Sequence, residues 1–411
     1  SDPNTSAPFQ TTAYLNNSSL RSEKVELTPN ESLVRANDKY YRYIGAGEVT
    51  GQLSDQDYTD TSQWQRLERS PSDPDTNWTE TDLSLNRYLD TYKFYDTTEL
   101  ILKAETDQVI TAGVGAGGAA IAGAKSGLGL AGAGSGVNAI NMVAVHPKAY
   151  INGSDANSLH VAEFDIDAID NSTINATAGS AALAASLAPK GGGALSISGA
   201  VARNEINNEV FAYITNIGSS SQPAYFSNNS SIHATETASI ESTAVAATLA
   251  VGIGKVGIAL SGAGADSINI VNNDVRGYMD NVSLQASEAT TDLLINASSE
   301  STIRSLTGAV AAAISGGKGA VSGAIGVSLA RNFIGYENAA DTVRNAGVRA
   351  YVNNSSLSRI HDLQIDAAVK DRVGTESFSG SVAIAVGIGA GLAGAGAEAT
   401  TKIGTVVDAY V

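Results

Sequence analysis

Apolar and polar residues alternate with a period of two along much of this chain. In "HVAEFDIDA" (160–168), Ile166 and Ala168 alternate with Asp165 and Asp167, whereas Val161 and Phe164 are offset from each other. In "VGIGKVGIALSGAGA" (251–265) the first aliphatic residues fall on one face and glycines on the other. Period-two alternation with β-branched residues predicts strands, and no segment shows the i, i+3, i+4 spacing of a capped helix. A Gly/Ala face also lets two sheets approach closely.

This strand pattern recurs about every 65 residues. The octapeptide "AYLNNSSL" (13–20) returns almost unchanged as "AYVNNSSL" (350–357), which identifies the two as one slot in two copies of a unit. The tyrosines of this slot are Tyr14, Tyr150, Tyr213, Tyr278, Tyr351 and Tyr410. The pattern therefore predicts that most of the chain is a repeat array.

Further columns keep the same phase. Before each later tyrosine comes an asparagine-rich segment, and before that a Gly/Ala block with a turn in its middle. The turns carry Lys125, Lys190, Lys255 and Lys318, which we interpret as exposed turn tips. Asparagines at fixed slots predict amide ladders along the stack. The residues expected to form them are Asn138, Asn141, Asn204, Asn207, Asn269, Asn272 and Asn332.

Repeated strand units that bury their apolar faces on one another predict an all-β fold, a β-solenoid of ~65-residue repeats. Each unit would be two or three coils, or one coil with a protruding Gly/Ala hairpin. The expected boundaries within this one continuous solenoid are 1–30 (first repeat segment), 31–98 (aromatic-rich insertion), 99–150, 151–213, 214–278, 279–351 (with a short insertion) and 352–411.

The insertion breaks the repeat and holds the candidate ligand-binding residues. Its aromatic residues could form an exposed platform for sugars or a partner, or the insertion's own small core. These are Tyr40, Tyr41, Tyr58, Trp64 and Trp78. Asp55, Asp57 and Asp60 are weak calcium candidates, because calcium binds oxygen-rich loops, and the alternative is that they cap turns. Asp165, Asp167 and Asp170 are expected on the solvent face of a strand.

Composition excludes several classes of function. The formal net charge is -17, which disfavours nucleic acid and anionic membranes as partners, and the absence of Cys removes disulfides and thiolate metal sites. The longest uncharged run, 377–397, is mostly Gly and Ala, so no membrane span is expected. The column His160, His233, Gln285 and His361 is expected to be an exposed ladder, with metal binding as the alternative.

Other motifs have structural explanations. "GVGAGG" (113–118) matches a dinucleotide-binding pattern, but it occupies a slot that other units fill without that spacing. N-x-S/T sequons cluster in the turns, where Asn and Ser are common in any case. If the source glycosylates its surface proteins, candidate sites are Asn17, Asn77, Asn152, Asn171, Asn229 and Asn354. No nucleophile–base pair or phosphate loop is found, so no catalytic residue or cofactor is predicted, calcium excepted.

With these columns in place, the chain resembles the repeat regions of giant bacterial surface exoproteins. These are the filamentous-haemagglutinin-like and leukotoxin-like filamentous adhesins and the very large "β-strand repeat" proteins. The resemblance rests on the "AYVNNSSL" slots, on Gly/Ala hairpins such as "AVGIGAGLAGAGA" (385–397), and on "YYRYIG…DQDYTDTSQW" (40–64). It implies a secreted or surface-attached β-solenoid and carries over no catalytic residue.

The expected function is therefore structural: an extracellular or cell-surface stalk or fibre used in adhesion, matrix or surface coating. The alternatives are a glycan- or partner-binding module that uses residues 31–98, and a polysaccharide-active enzyme on a β-helix, whose cluster of Lys, Arg and Asp the columns do not supply. Tyr14 and Tyr410 occupy the same slot, so we expect the ends to be engaged, either within a longer polypeptide or by head-to-tail stacking of copies.

Overall fold

The structure, a computed structural model, describes residues 11–16, 20–21, 24–30, 33–36, 39–47, 49–52, 57, 59–67, 99–153, 159–219, 223–286, 290–336 and 347–411. These residues form strands and no helix, so none of them builds a helical segment able to cross a membrane. The strands are β1 (Thr12–Asn16), β2 (Leu20–Arg21), β3 (Lys24–Leu27), β4 (Leu33–Ala36), β5 (Lys39–Tyr43), β6 (Val49–Gln52), β7 (Trp64–Leu67), β8 (Glu99–Gly123), β9 (Leu128–Val143), β10 (Lys148–Asn152), β11 (Leu159–Val161), β12 (Glu163–Ala188), β13 (Gly191–Ile206), β14 (Glu209–Ile217), β15 (Ala224–Phe226), β16 (Ser230–Gly254), β17 (Val256–Val271), β18 (Asp274–Ala286), β19 (Leu293–Ile334), β20 (Gly347–Asn353), β21 (Ser356–Ser358), β22 (Leu363–Ile403) and β23 (Val406–Tyr410).

The larger sheet contains the long Gly/Ala-rich strands. Its order is β8-β12-β16-β19-β17-β13-β9, all neighbours are parallel, and β22 pairs with β19. The chain runs out along β8, turns near Lys125 and returns along β9, and the later repeats follow the same path. Outgoing and return strands face each other, and β8 lies against β9. The sheet is therefore nearly closed on itself.

A second parallel sheet contains the short strands that carry the tyrosine slot. Its order is β1-β10-β14-β18-β15-β11-β2, with β20, β21 and β23 attached beyond β18. The equivalent tyrosines of successive repeats lie opposite one another in its registers. The tyrosine column predicted from the sequence is thus a column in space. In the insertion, β3 pairs antiparallel with β6, and β5 pairs with β4 and β7.

The all-β class is confirmed, but the prediction of a β-solenoid is wrong. The structure has two large parallel sheets with strands of up to 42 residues, and the larger sheet is a nearly closed arrangement of seven parallel strands. The reason is physical. A fixed repeat length with period-two alternation specifies that each strand pairs in register with its copy, but it does not specify the path of the chain between those pairings.

Small residues line the interior of the nearly closed sheet. Its core is built from alanines such as Ala184, Ala246 and Ala311. A Cβ atom added to Gly118 would lie 2.3 Å from the Gly134 carbonyl oxygen, so the facing strands leave no room for larger side chains. Larger aliphatic residues, Ile121 and Leu130 among them, therefore point outward. The expected close approach across a Gly/Ala face is what the structure shows.

Glycine is required where the longest strand bends back. Gly317 has φ +153° and interrupts the register between β19 and β22. A Cβ atom there would lie 1.9 Å from the Gly254 carbonyl oxygen, so no other residue fits without moving the neighbouring repeat. The turn occupies the slot that Lys125, Lys190 and Lys255 mark in the preceding repeats.

A conventional apolar core fills the space beside the tyrosine-bearing strands. Phe164, Ile166, Phe226, Ile232 and Ile295 are fully buried and belong to one cluster. Ile166 and Ala168 face inward while Asp165 and Asp167 face outward, as the alternation of β12 predicts, and Phe164 also faces inward. This core anchors the base of the long strands, whereas only small side chains hold their outer parts together.

Enlarging one interior alanine should destabilise the protein sharply. We expect Ala246→Leu, at a fully buried position, to lower the free energy of unfolding by about 1–3 kcal/mol or more, because overpacking forces the facing strands apart. Ala247→Leu, one residue further along β16 and exposed, is the matched control and should change stability by less than about 0.5 kcal/mol. Urea unfolding followed by circular dichroism measures both, and equal losses would contradict the small-residue interior.

Candidate functional site

Six tyrosine rings form one continuous stack across the second sheet. The ring centroids of Tyr150 and Tyr213 are 4.8 Å apart with planes 5° from parallel, and those of Tyr213 and Tyr278 are 4.8 Å apart. Tyr351 and Tyr410 are 5.0 Å apart. Tyr14 stacks on Tyr150, and Tyr278 on Tyr351. Parallel strands lie about 4.8 Å apart, so the strand spacing itself produces ring stacking at this distance.

The inner rings of this stack differ from the outer ones. Burial beneath neighbouring rings raises the pKa of Tyr213 to about 12, with a smaller contribution from the phenol of Tyr150, and burial raises the pKa of Tyr278 further. Among the described residues, Tyr14 and Tyr410 each stack on one ring only, and they are 59% and 48% exposed. Within the described part of the chain, the stack therefore ends at Tyr14 and at Tyr410.

Beside the tyrosines, two residues earlier on each strand, runs a row in which four of the six side chains are charged and Phe211 lies among them. Lys148 lies 5.0 Å and Arg276 5.2 Å from the centroid of the Phe211 ring, one from each neighbouring strand. Arg276 also donates to Asp274, and Arg349 lies 3.5 Å from Asp408 in the last strand. Cation–π contacts and ion pairs thus join successive repeats along the outer surface.

Asparagine side chains form a second ladder, in the interior. The amide nitrogen of Asn141 donates to Asn204, that of Asn204 to Asn269, and that of Asn269 to Asn332, each at 2.8 Å. Asn332 donates on to Thr375 at 2.7 Å. Four of the seven predicted ladder residues are therefore in one column.

The other three predicted ladder residues lie elsewhere. Asn138 lies opposite Val201 and is exposed. The motif "NAIN" (138–141) suggested that Asn138 pairs with Asn204, but the residue that pairs with Asn204 lies three positions later, at Asn141. Asn207 and Asn272 bond across repeats through their backbone N–H groups, which donate to Val143 and Ile206. Their side chains add no rung to the ladder.

A third ladder in the turns was missed. The amide of Asn281 donates to Asn216, and that of Asn216 donates to Asn152, each at 3.0 Å. Asn216, Asn281 and Asn354 have positive φ, which asparagine tolerates better than most residues. The asparagine that recurs two or three residues after each tyrosine was the available signal.

A buried polar column crosses four repeats. Thr106, Asp170, Glu236 and Ser299 lie opposite one another on β8, β12, β16 and β19. Asp170 accepts hydrogen bonds from Thr106 at 2.5 Å and from the amide of Asn208 at 2.6 Å, and burial raises its pKa. The expectation that Asp170 lies on the solvent face with Asp165 and Asp167 is wrong, since its even position puts it on the inner face.

Glu236 is the most perturbed carboxyl group of this column. Its Oε2 atom accepts a hydrogen bond from Ser299 at 2.5 Å, and its Oε1 atom is buried without a hydrogen-bond partner among the described residues. Burial, with the charge of Asp170 adding to it, raises the pKa of Glu236 to about 8. Glu236 is therefore mostly protonated at neutral pH.

The described part of the insertion has a core of its own. Tyr43 and Trp64 are both 2% exposed and meet edge-to-face with ring centroids 5.3 Å apart, and Tyr41 is also buried. Trp64 and Tyr41 thus offer no open ring face. Tyr58, Trp78 and the side chain of Tyr40 lie outside the described residues.

The acidic loop of the insertion caps its own turns. Asp57 accepts hydrogen bonds from the backbone and hydroxyl of Thr59, which lower its pKa, and Asp60 accepts the equivalent pair from Ser62. Asp55 lies outside the described residues. The oxygens of Asp57 and Asp60 are thus directed at turn donors of their own loop.

The four residues that were expected to form one histidine column do not lie in a single column. His160 and Gln285 lie in a column with Tyr225, whereas His233 lies opposite Asp167 and Asn296. The ligand atoms of Asp165, Asp167 and His233 lie within 4.8 Å of one another, as do those of Asp292, His361 and Asp362. In the second group, Nδ1 of His361 lies 3.0 Å from Asp292, and this hydrogen bond raises the pKa of His361.

The sequon asparagines within the described residues differ in exposure. Asn171, Asn229 and Asn354 are exposed, and Asn152 is half-buried with its side-chain oxygen accepting from Thr215 and Asn216. Asn17 and Asn77 lie outside the described residues.

The chain matches no protein-family model, and comparisons with the curated proteins and with the solved structures give no match.

Interrupting the interior asparagine ladder should cost stability. We expect Asn269→Ala to lower the free energy of unfolding by about 1–3 kcal/mol, because it leaves the buried amides of Asn204 and Asn332 without their partner. Asn138→Ala, on an exposed side chain of the same motif, is the control and should stay within about 0.5 kcal/mol of the parent chain. Chemical unfolding of both variants provides the measurement, and a silent Asn269→Ala would refute the ladder's role.

Neutralising Glu236 should make stability less dependent on pH. The pKa of Glu236 is raised from 4.5 in the unfolded chain to about 8, so its contribution is fully present below pH 4.5 and is lost as pH rises through 8. We expect Glu236→Gln to be near neutral at pH 4.5 and to stabilise by roughly 1–4 kcal/mol at pH 8.5. Thermal unfolding of parent and variant across this range tests it, and parallel pH profiles would count against the assignment.

Proposed function

We propose that the protein is a structural, extracellular repeat protein that forms a stalk or a head-to-tail fibre for adhesion, matrix or surface coating. The observation that carries this proposal is the in-register stacking of repeats, whose first and last described strands each keep an edge that no described strand pairs with. The tyrosine stack supports it most directly, because Tyr14 and Tyr410 each have a single stacked ring among the described residues and are about half exposed.

The edges of the sheets support the same proposal. β23 pairs only with β20 and β22 only with β19, so each leaves one row of backbone donors and acceptors unpaired among the described residues. At the opposite edges of the two sheets, β1 and β8 also leave one row of backbone donors and acceptors unpaired among the described residues. Unpaired parallel edges are templates for further strands. A further repeat, from a longer chain or a second copy, would continue the ladders across the junction.

A side chain at the last edge belongs to a column that is buried further inside. Val407 is 45% exposed, whereas its partner Val348 in the preceding repeat is 1% exposed. An exposed apolar position in phase with a buried column favours a surface that another repeat covers.

The location outside the cell rests on the sequence resemblance to giant bacterial surface exoproteins. The alternative of glycan binding through the insertion gains no support from Tyr41 and Trp64, since both side chains are buried. A role in structure requires repeated, rigid, mutually supporting units, which the tyrosine and asparagine ladders supply.

A charge placed on the exposed edge strand β23 should block head-to-tail assembly. We expect the parent chain to form long unbranched fibres of uniform width in negative-stain electron microscopy as concentration rises. Val407→Lys puts an ammonium group where the next repeat would bury an apolar side chain, and should reduce fibre length or number at least tenfold, about 1.4 kcal/mol per junction.

Thr237→Lys is the control for this experiment. Position 237 is exposed on β16 in the middle of the stack, so the same added charge should leave fibres unchanged. Short monodisperse rods of the parent chain at every concentration would refute head-to-tail assembly, as would equal fibre formation by Val407→Lys.

A further inference from the structure

The nearly closed sheet has inverted polarity in its outer part. Serine and threonine hydroxyls lie inside it: Ser180 meets Ser198 at 2.5 Å, and Ser261 donates to Thr248 at 2.7 Å. Leucine, isoleucine and valine lie outside. The facing strands are too close to admit large side chains, so alternation along each strand forces the aliphatic residues outward.

The outward surface of the return strands is the more glycine-rich of the two outer faces. We call this surface the aliphatic face: the outward positions of β9, β13 and β17, and of β19 and β22 after their bends. Its exposed residues include Leu130, Leu195, Ile197, Leu260, Ile325 and Leu392, with glycines between them. On β17, residues 256–265 contain no charged side chain, and their outward positions are all aliphatic or glycine. The face is therefore a set of aliphatic ridges and glycine hollows.

We propose that the aliphatic face binds the same face of a second copy of this chain, with the two sets of strands antiparallel. The size of the surface supports this. Ten residues of strand extend about 33 Å, and five strands about 4.8 Å apart span about 24 Å, so each copy offers about 800 Å². That is one partner's share of a standard stable protein–protein interface, whereas a lone soluble molecule rarely exposes so large an apolar patch.

Charge selects the antiparallel arrangement. Lys125, Lys190, Lys255 and Lys318 all lie in the turns at one end of the long strands. Parallel docking would bring the two lysine rows together. Antiparallel docking separates them by roughly the length of the face, several times the ~8–10 Å over which salt screens exposed charges. Over the roughly ten residues that follow each turn, the outward positions of the face carry no charged side chain, and the charged outward residues Arg203, Asp266, Arg331 and Glu398 lie beyond them. A two-fold arrangement places this same uncharged surface on both sides of the interface.

A lipid bilayer is a poorer occupant of this face. Insertion of the long strands would carry the open edges of β8, β9 and β22 into hydrocarbon, where unpaired backbone groups cost several kcal/mol each. A second copy leaves those edges in water or free for a further repeat. Lateral pairing uses a different surface from head-to-tail stacking, so it does not depend on the proposed fibre and would join fibres side by side if they form.

Sedimentation velocity of the Val407→Lys chain tests this pairing, because that background blocks head-to-tail growth. We expect a monomer–dimer equilibrium, and Ile325→Lys should weaken it at least tenfold by burying an ammonium group in the interface. Val310→Lys is the matched control: Val310 is an equally aliphatic, 46% exposed residue of β19 on the outgoing face. It should leave the dimer intact, and urea unfolding verifies that both variants fold.

The absence of Cys allows a direct test of the two-fold axis. Leu260 lies near the centre of the aliphatic face, and Val256 near the lysine end. With diamide as the two-electron acceptor, Leu260→Cys should form a disulfide-linked dimer rapidly, and Val256→Cys should not. Rapid cross-linking through Val256→Cys alone would overturn the antiparallel arrangement.

Three results would overturn pairing through this face. One is a chain that stays monomeric at all concentrations. Another is a dimer that Ile325→Lys and Val310→Lys weaken equally. The third is a monomer that floats with phosphatidylglycerol vesicles and loses this binding on Ile325→Lys, which would assign the face to lipid. Failure of the fibre proposal would appear separately, as parent chain that forms dimers without fibres.

Discussion

The close approach of outgoing and return strands is the constraint on which the rest of this structure depends. A Cβ atom on Gly118 would meet the Gly134 carbonyl oxygen at 2.3 Å, and in this outer part the two halves of the sheet hold mainly Gly, Ala, Ser and Thr between them. Such an interior buries little apolar area per residue, so it contributes little hydrophobic stabilisation. Hydrogen bonds between hydroxyls and between strands must supply a larger share of the cohesion than in an ordinary core.

In-register stacking provides that cohesion in a second way. Each residue lies over its equivalent in the next repeat, at the spacing between strands. A side chain that interacts favourably with an identical side chain therefore makes that contact at every repeat. Tyrosine stacks on tyrosine, and the amide of Asn204 both accepts from Asn141 and donates to Asn269. The same rule makes stacked carboxylates unfavourable. Asp170 and Glu236 lie on neighbouring strands in the interior, and burial with mutual repulsion keeps Glu236 protonated to about pH 8.

The sequence predicted the strands and the repeat because both depend on local periodicity. The tyrosine slot predicted the correct register at all six tyrosines, and "DIDA" (165–168) predicted the inward and outward faces correctly. Asp170 was assigned to the wrong face only because the alternation, which puts even-numbered residues of β12 inward, was not continued beyond Ala168. Asn138 was misplaced because the first repeat is offset by three residues, which only its pairing with Val201 reveals. The solenoid prediction failed because the chain path between paired strands leaves no local signal.

The outward aliphatic residues could not have been placed from alternation alone. In "VGIGKVGIALSGAGA", period two separates Val and Ile from Gly, and the usual inference is that the larger side chains face the core. Here the short distance between facing strands puts the small residues inside and the larger ones outside. This distance is set by hydrogen bonds and packing of whole repeats. A sheet that buries serine side chains and exposes leucine side chains is unfavourable for an isolated molecule in water. Covering the outer faces would make the arrangement favourable, so the proposed pairing of copies follows from the same steric limit as the fold of one chain.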